Sequence, residues 1–180
     1  QKDCVTIDDD VRWLVALISD TGMRLSEAAG LHVNDIMLDN DIPYIDLKPH
    51  PWRGLKTRGS QRQIPLVGAS LWAAKRIKET NSDAVYAFPR YNNTSTTNGN
   101  SASAAINKWL KTRVPEGCVI HSFRHSVRDR LREVQCPADM IDQIGGWSTA
   151  GVGQAYGDGY NLNTLFHNMK DIQCHVSFKE

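Results

Sequence analysis

Residues 42–66 read IPYIDLKPHPWRGLKTRGSQRQIPL, and this stretch decides the fold class. Ile42, Tyr44, Ile45 and Leu47 form a strand-like run of β-branched and aromatic residues. Pro43 suits a strand start or an edge, because it has no N–H to give to a ladder. Pro49 and Pro51 break the run, a turn centres on Gly59, and Arg62 to Leu66 predict a second strand. Two strands therefore flank a basic loop. Upstream, Thr6 and Asp9 resemble a capping box, Val11, Leu14, Val15 and Ile18 recur at helical spacing, and Gly22 closes the helix. A short second helix is expected over Ser26–Gly30. Downstream, helices are expected over Ala69–Lys78, Ala104–Arg113, His121–Val134 and Ala138–Ile144, with Pro137 at a first-turn position. Short helices near Gly151–Ala155 and Leu162–Met169 end the chain, and Tyr91–Ser103, rich in Asn, Thr, Ser and Gly, reads as a loop. Helices outnumber strands and the strands sit in one early block, so the predicted class is α+β, mostly α, with a small antiparallel sheet near the N-terminal third.

The chain has 180 residues, 41% hydrophobic and 23% charged, which suits a single globular domain and excludes collagen-like or wholly disordered readings. Its longest apolar run, Leu14 to Ile18, is far short of the roughly 18 residues that a spanning helix needs. No signal peptide is read at the N-terminus, so a cytoplasmic location is expected. Cys4, Cys118, Cys136 and Cys174 show no CxxC spacing, which predicts free thiols. The net charge of +1 hides opposed blocks. Residues 1–47 carry ten acids against three bases, residues 48–62 carry five bases and no acid, and residues 108–132 carry seven bases against Glu116 and Asp129. Brought together by folding, the two basic segments would make a face able to neutralise phosphates.

One motif is chemically sharper. His121 and Arg124 in His-Ser-Phe-Arg-His lie on one face of a helix start, where an anion also meets free backbone N–H groups. His121 and His125 have i,i+4 spacing suitable for zinc, but no third ligand or HExxH glutamate accompanies them, so no metal is expected. Arg24 lies in Thr-Gly-Met-Arg-Leu-Ser-Glu, Lys56 in Lys-Thr-Arg-Gly-Ser-Gln-Arg, and Tyr156 nine residues after Trp147 of Gly-Gly-Trp-Ser.

Taken together, in order from Thr21 to Tyr156, these segments closely resemble the catalytic domain of tyrosine recombinases, the phage integrase family. The resemblance implies that Arg24 and Arg124 are the two catalytic arginines, Lys56 the hairpin lysine, His121 the histidine and Tyr156 the nucleophile. Trp147 stands where many members have histidine, and its indole N–H can only donate. Glu27, three residues after Arg24, is expected to orient it. Arg53, Arg58 and Arg62 are read as phosphate contacts or as solvated charges of the hairpin. Trp13, Trp72 and Trp109 are read as core, and Arg128, Arg130 and Arg132 cannot all face DNA. Tyr160 and Tyr91 fit the nucleophile spacing less well than Tyr156.

The implied reaction is site-specific recombination: Tyr156 attacks a DNA phosphodiester, forms a 3′-phosphotyrosyl link and frees a 5′ hydroxyl, without metal, ATP or other cofactor. Two forked, permanently charged arginines suit the charge that builds on the non-bridging oxygens. Double-stranded DNA attachment sites are the expected partner, with a homotetramer on DNA and a monomer or weak dimer for the isolated domain. Complete members carry core-binding and arm-binding domains, so residues 1–180 read as a catalytic fragment of a longer integrase. Residues 157–180 either dock on a neighbouring protomer or pack on their own domain. The rival functions are a type IB topoisomerase-like strand transferase and a non-catalytic DNA-binding module of the same fold.

Overall fold

The structure, a computed structural model, describes residues 8–147 and 159–173, apart from the side chain of Arg58. Thr6, the expected helix near Gly151–Ala155, Tyr156, Cys4 and Cys174 lie outside the described residues.

Helix α1 (Asp10–Thr21) is the centre of the molecule, with ten of its twelve residues buried. It packs on α3 (Gly68–Thr80) and α5 (Ile120–Glu133). Burial on nearly all sides explains why Val11, Leu14, Val15 and Ile18 are joined in the core by Ala16 and Leu17. The helix starts at Asp9, whose carboxylate accepts the N–H groups of Val11 and Arg12, both at 3.1 Å. Asp9 is thus the N-cap itself, rather than the third residue of a box opened by Thr6. Gly22 ends α1 in the left-handed conformation, and α2 (Leu25–Ala29) follows at once.

The sheet has three antiparallel strands in the order β1 (Ile36–Met37), β2 (Tyr44–Leu47) and β3 (Arg62–Pro65). Register places Ile45 opposite Ile64 and Leu47 opposite Arg62, so that Ile45, Leu47 and Ile64 enter the core on one face. β1 is too short to show a period of two, and it pairs Ile36 with Ile45, which makes β2 the central strand. Pro43 precedes β2 and only its carbonyl is used, accepting from Leu66 N–H at 2.8 Å.

The later helices are α4 (Gly99–Leu110), α6 (Ala138–Gly145) and α7 (Leu162–Ile172). α4 begins inside the stretch expected to be loop, because Asn98 caps it by accepting Ser101 N–H at 3.0 Å. Of the C-terminal segment, α7 packs on this chain's own β3 and α5, burying Leu165, Met169 and Ile172. Residues 174–180 lie outside the described residues. Trp13 is core as expected, while Trp72 and Trp109 are half-buried against it. Among the described residues, Cys118 and Cys136 are free thiols, and no helix is long and apolar enough to cross a membrane.

Candidate active site

The turn between α1 and α2 delivers Arg24 to the rim of an open cleft of about 450 Å³. Lys56, His121 and Arg124 line the same cleft, over a floor that includes Ile18, Met23 and Ile120. Among the described residues no carboxylate lines it. Four of the six expected catalytic residues therefore converge. They come from the turn between α1 and α2, the loop between β2 and β3, and α5.

Arg24 is held by a buried acid. Glu27, one turn into α2 and 2% exposed, accepts Arg24 N–H at 2.9 Å and Arg24 Nη1 at 2.6 Å. Arg24 Nη1 also reaches Ser60 Oγ at 3.2 Å, and Nη2 donates to the Gly146 carbonyl at 3.0 Å. Burial works against the charge on Glu27, yet Arg62 and the donors of Arg24 outweigh it and hold its carboxyl below the usual carboxylate range.

Arg124 is placed differently. It is 3% exposed, its Nη1 donates to the Gly22 carbonyl, and its guanidinium carbon lies 4.3 Å from the Trp147 ring centroid. No salt bridge forms to it among the described residues. Burial, and then the charge of Arg24, pull its pKa down to about 10. The charge of Glu27 opposes these effects, and the group stays protonated at neutral pH. His121, on the first turn of α5, is exposed and makes an edge contact with the His125 ring at 5.0 Å. Partial burial, His125, Arg124 and Arg24 all lower its pKa, so the imidazole is neutral at pH 7.

The Gly-Gly-Trp segment at the end of α6 has a steric explanation. A Cβ on Gly145 would sit 1.9 Å from the Trp147 ring. Gly146 has φ +60°, its carbonyl takes Arg24, and a Cβ there would sit 2.6 Å from Arg62 Nη1. Two glycines thus let the indole pass beneath Arg124 and let the backbone reach Arg24. Trp147 also carries Arg128 at 5.3 Å. Its role here is as a shelf for guanidiniums.

Arg53 and Arg62, read from the sequence as phosphate contacts or solvated charges of the hairpin, are both buried. Arg62 is 8% exposed, and its guanidinium donates to the Ile144 carbonyl at 2.8 Å, the Ser60 carbonyl at 2.7 Å and Glu27 Oε2 at 3.1 Å. Arg53 is 2% exposed and donates to the Glu27 carbonyl at 3.0 Å, to Asp35 at 3.4 Å and to the Lys48 carbonyl. Every donor so spent is unavailable to DNA, and the two residues act as ties between the sheet, α2 and α6. Arg58 keeps its place in the turn Arg58–Ser60, but its side chain is outside the described residues. Arg130 is likewise turned inward, bonded to Asp20 and to the Ser19 and Ile172 carbonyls.

Sequence reasoning missed Ser60, the Gly146 carbonyl, Asn100 and Ser103, of which the last two line the cleft from the first turns of α4. Only the Asn98 cap could have pointed to them, since it moves the helix start to the cleft. Among the described residues no group of His, Cys, Asp or Glu is arranged to hold a metal.

Two comparisons with solved structures agree on the fold. The chain is similar to the XerH site-specific recombinase bound to palindromic difH substrate in a post-cleavage complex, with TM-score 0.57 and 19% identity over 82% of this chain and 44% of that one. It is also similar to the Tn1549 transposon integrase in complex with circular intermediate DNA, with TM-score 0.56 and 17% identity over 98% of this chain and 59% of that one. The chain spans less than two thirds of the length of either protein. No curated protein sequence is close enough to count as a match. The phage integrase family profile matches residues 4–161, and the chain belongs to that family.

Proposed function

We propose that this domain is a tyrosine-type site-specific recombinase that cleaves and rejoins double-stranded DNA through a 3′-phosphotyrosyl intermediate on Tyr156. The observation that carries the reading is the convergence of Arg24, Lys56, His121 and Arg124 on one cleft that no carboxylate lines. Such a cleft is electrostatically complete only with an anion in it, and a phosphodiester placed there would meet two forked guanidiniums.

Each residue then has a task. Arg24 and Arg124 bind the non-bridging oxygens and stabilise the added charge of the pentavalent transition state, a role worth about 3 kcal/mol per fixed donor. Neutral His121 takes the phenolic proton of Tyr156, whose unperturbed pKa near 10 makes it a poor nucleophile on its own. Lys56, on the exposed loop, gives a proton to the leaving 5′ oxygen. The phosphodiester bond is exchanged for a phosphotyrosyl bond of similar energy, and the freed 5′ hydroxyl re-attacks to close either strand.

Tyr91 and Tyr160, the two alternatives weighed by spacing, support Tyr156 by their environments. Tyr91 is 2% exposed with a buried hydroxyl, and burial raises its pKa. The Tyr160 hydroxyl bonds both carboxylate oxygens of Asp139 at 3.0 Å, which raises its pKa as well. Neither phenol is poised to ionise.

The test is a library of nicked duplexes that release a short fragment on cleavage and so trap the covalent state. An adduct that survives denaturation is expected for the native chain and absent from Tyr156→Phe. An adduct formed equally by Tyr156→Phe removes this assignment, and a chain that binds duplex DNA but never forms an adduct fits the non-catalytic module instead.

A further inference from the structure

Lys56 is exposed on the loop between β2 and β3, and the chain is anchored on both sides of it. Upstream, Leu55 rests against the core. Downstream, the turn Arg58–Ser60 brings the chain back inside at Ser60, which is fully buried. Ser60 N–H donates to the Thr57 carbonyl at 3.0 Å, and the hydroxyl oxygens of Ser60 and Thr57 lie 3.0 Å apart. Ser60 Oγ is also 3.2 Å from Arg24 Nη1. A guanidinium has no acceptor, so Ser60 accepts from Arg24, and its own proton is left for Thr57 Oγ1. The result is one donor chain, from Arg24 to Ser60 to Thr57, whose links strengthen one another. It ends on the residue next to Lys56.

We infer that Ser60 is a positioning residue that ties the Lys56 loop to Arg24, so that the proton donor and the phosphate-binding arginine are set together. The inference rests on the assignment of Lys56 as proton donor made above. Its physical reason is that the two groups serve neighbouring atoms. Arg24 holds a non-bridging oxygen, while Lys56 must meet the 5′ oxygen of the same phosphate as that P–O bond breaks and the bond from phosphorus to Tyr156 forms. A lysine on a flexible stem finds that atom only where its backbone is held, and a misplacement of about 1 Å costs about a hundredfold in rate. Ser60 is itself well fixed. Its carbonyl takes Arg62 Nη1 at 2.7 Å, and Arg24 is locked by Glu27 at 2.6 Å. The tie therefore runs from a rigid part of the molecule out to an exposed loop. Removing the Ser60 hydroxyl strands no buried group, because Arg24 Nη1 keeps Glu27 and the exposed Thr57 turns to water.

Single-turnover cleavage by the full chain tests this, on a nicked duplex that the native chain cleaves and on the same duplex with sulfur at the 5′-bridging position. There the P–S bond breaks to a thiolate, which leaves without a proton because thiols ionise at about pH 8.5. Ser60→Ala is expected to slow adduct formation about tenfold on the ordinary duplex, a part of the roughly 10²–10⁴ that a general acid supplies, and to come within about threefold of the native chain on the sulfur duplex. DNA affinity should stay within about twofold, since a buried hydroxyl does not touch substrate. Thr57→Ala cuts the same chain from its exposed end and carries the test should Ser60→Ala not fold. Thr57→Ser, which keeps the hydroxyl, should regain most of what Thr57→Ala loses. Native rates in both alanine variants overturn the tie. So does an equal defect on both duplexes, which would place the effect on Arg24 alone. Lys56→Ala separates the inference from the reading beneath it: if sulfur rescues Lys56→Ala but not Ser60→Ala, the tie falls and the proton donor stands, and if it rescues neither, the proton-donor assignment falls as well.

Discussion

Arg24 and Arg124 line one cleft and are held in different ways. On the α2 and hairpin side, every positive charge brought inward is answered. Glu27 serves Arg24 and Arg62, and Asp35 serves Arg53 with help from His50 at 2.8 Å. On the α5 side, Arg124 is buried against a carbonyl and an indole and makes no salt bridge among the described residues, the charge of Glu27 acting on it only at a distance. The difference separates scaffold from binding capacity. A compensated guanidinium is fixed in direction and keeps few donors to spare, whereas an uncompensated one is raised in free energy until an anion arrives. The cleft pairs one of each, a preset arginine and a poised one.

This contrast is broken most severely by removing the shared acid. Glu27→Ala leaves Arg62, with 3% side-chain exposure, buried without its carboxylate. A loss of about 3–5 kcal/mol is expected, of the size seen when one partner of a buried pair is deleted. Urea denaturation measures it, and a loss under about 1 kcal/mol would mean that the pair is not the hub described here. The pH dependence has a definite sign. The folded pKa of Glu27 lies below its ordinary 4.5, so its stabilisation is fully present above that pH and is lost as pH falls through the folded value. Glu27→Gln should lack that component of acid destabilisation.

Next in size is the other side of the comparison. Arg124→Lys keeps a charge but loses the fork, and adduct formation is expected to fall by about 10²–10³. Stability in the absence of DNA should fall less than in Glu27→Ala, because a lysine can shed its proton where burial disfavours charge and no buried acid is left without its partner. Quenched-flow cleavage and thermal melting on the same samples check both halves. A variant that melts as badly as Glu27→Ala would erase the distinction between scaffold and binding arginine.

The same distinction marks what could be read from the sequence. The helices were legible where one period persisted, as in α1, and where caps stood out, as at Pro137 and Gly22. β1 was not, because Ile36-Met37 has no period to show. α4 was placed late because Asn, Thr, Ser and Gly suggest loop, although Asn98 caps a helix among them. Arg24, Lys56, His121 and Arg124 were legible as a set through the family's ordered motifs, and Glu27 through its spacing from Arg24. The inward turn of Arg53 and Arg62 was not. Their charge argues for the surface, and only tertiary placement brings Asp35 from 18 residues away to Arg53 and Glu27 from 35 away to Arg62. Glu27 betrayed one partner by local spacing and hid the other by distance.

The smallest expected effect sharpens the comparison without a mutation. His121 stands on the uncompensated side, and partial burial with His125, Arg124 and Arg24 holds its pKa below the ordinary 6.5. A base must be neutral to take the Tyr156 proton, so the acid limb in the pH profile of the second-order cleavage rate, which reports the free enzyme, should have its midpoint below pH 6.5. Below its midpoint the rate should drop about tenfold per pH unit, equivalent to about 1.4 kcal/mol. An acid limb with its midpoint above 6.5 would show His121 stabilised in its charged form, as it would be beside a carboxylate. The α5 side would then be compensated too, and the neutral imidazole would be unavailable as the base at neutral pH.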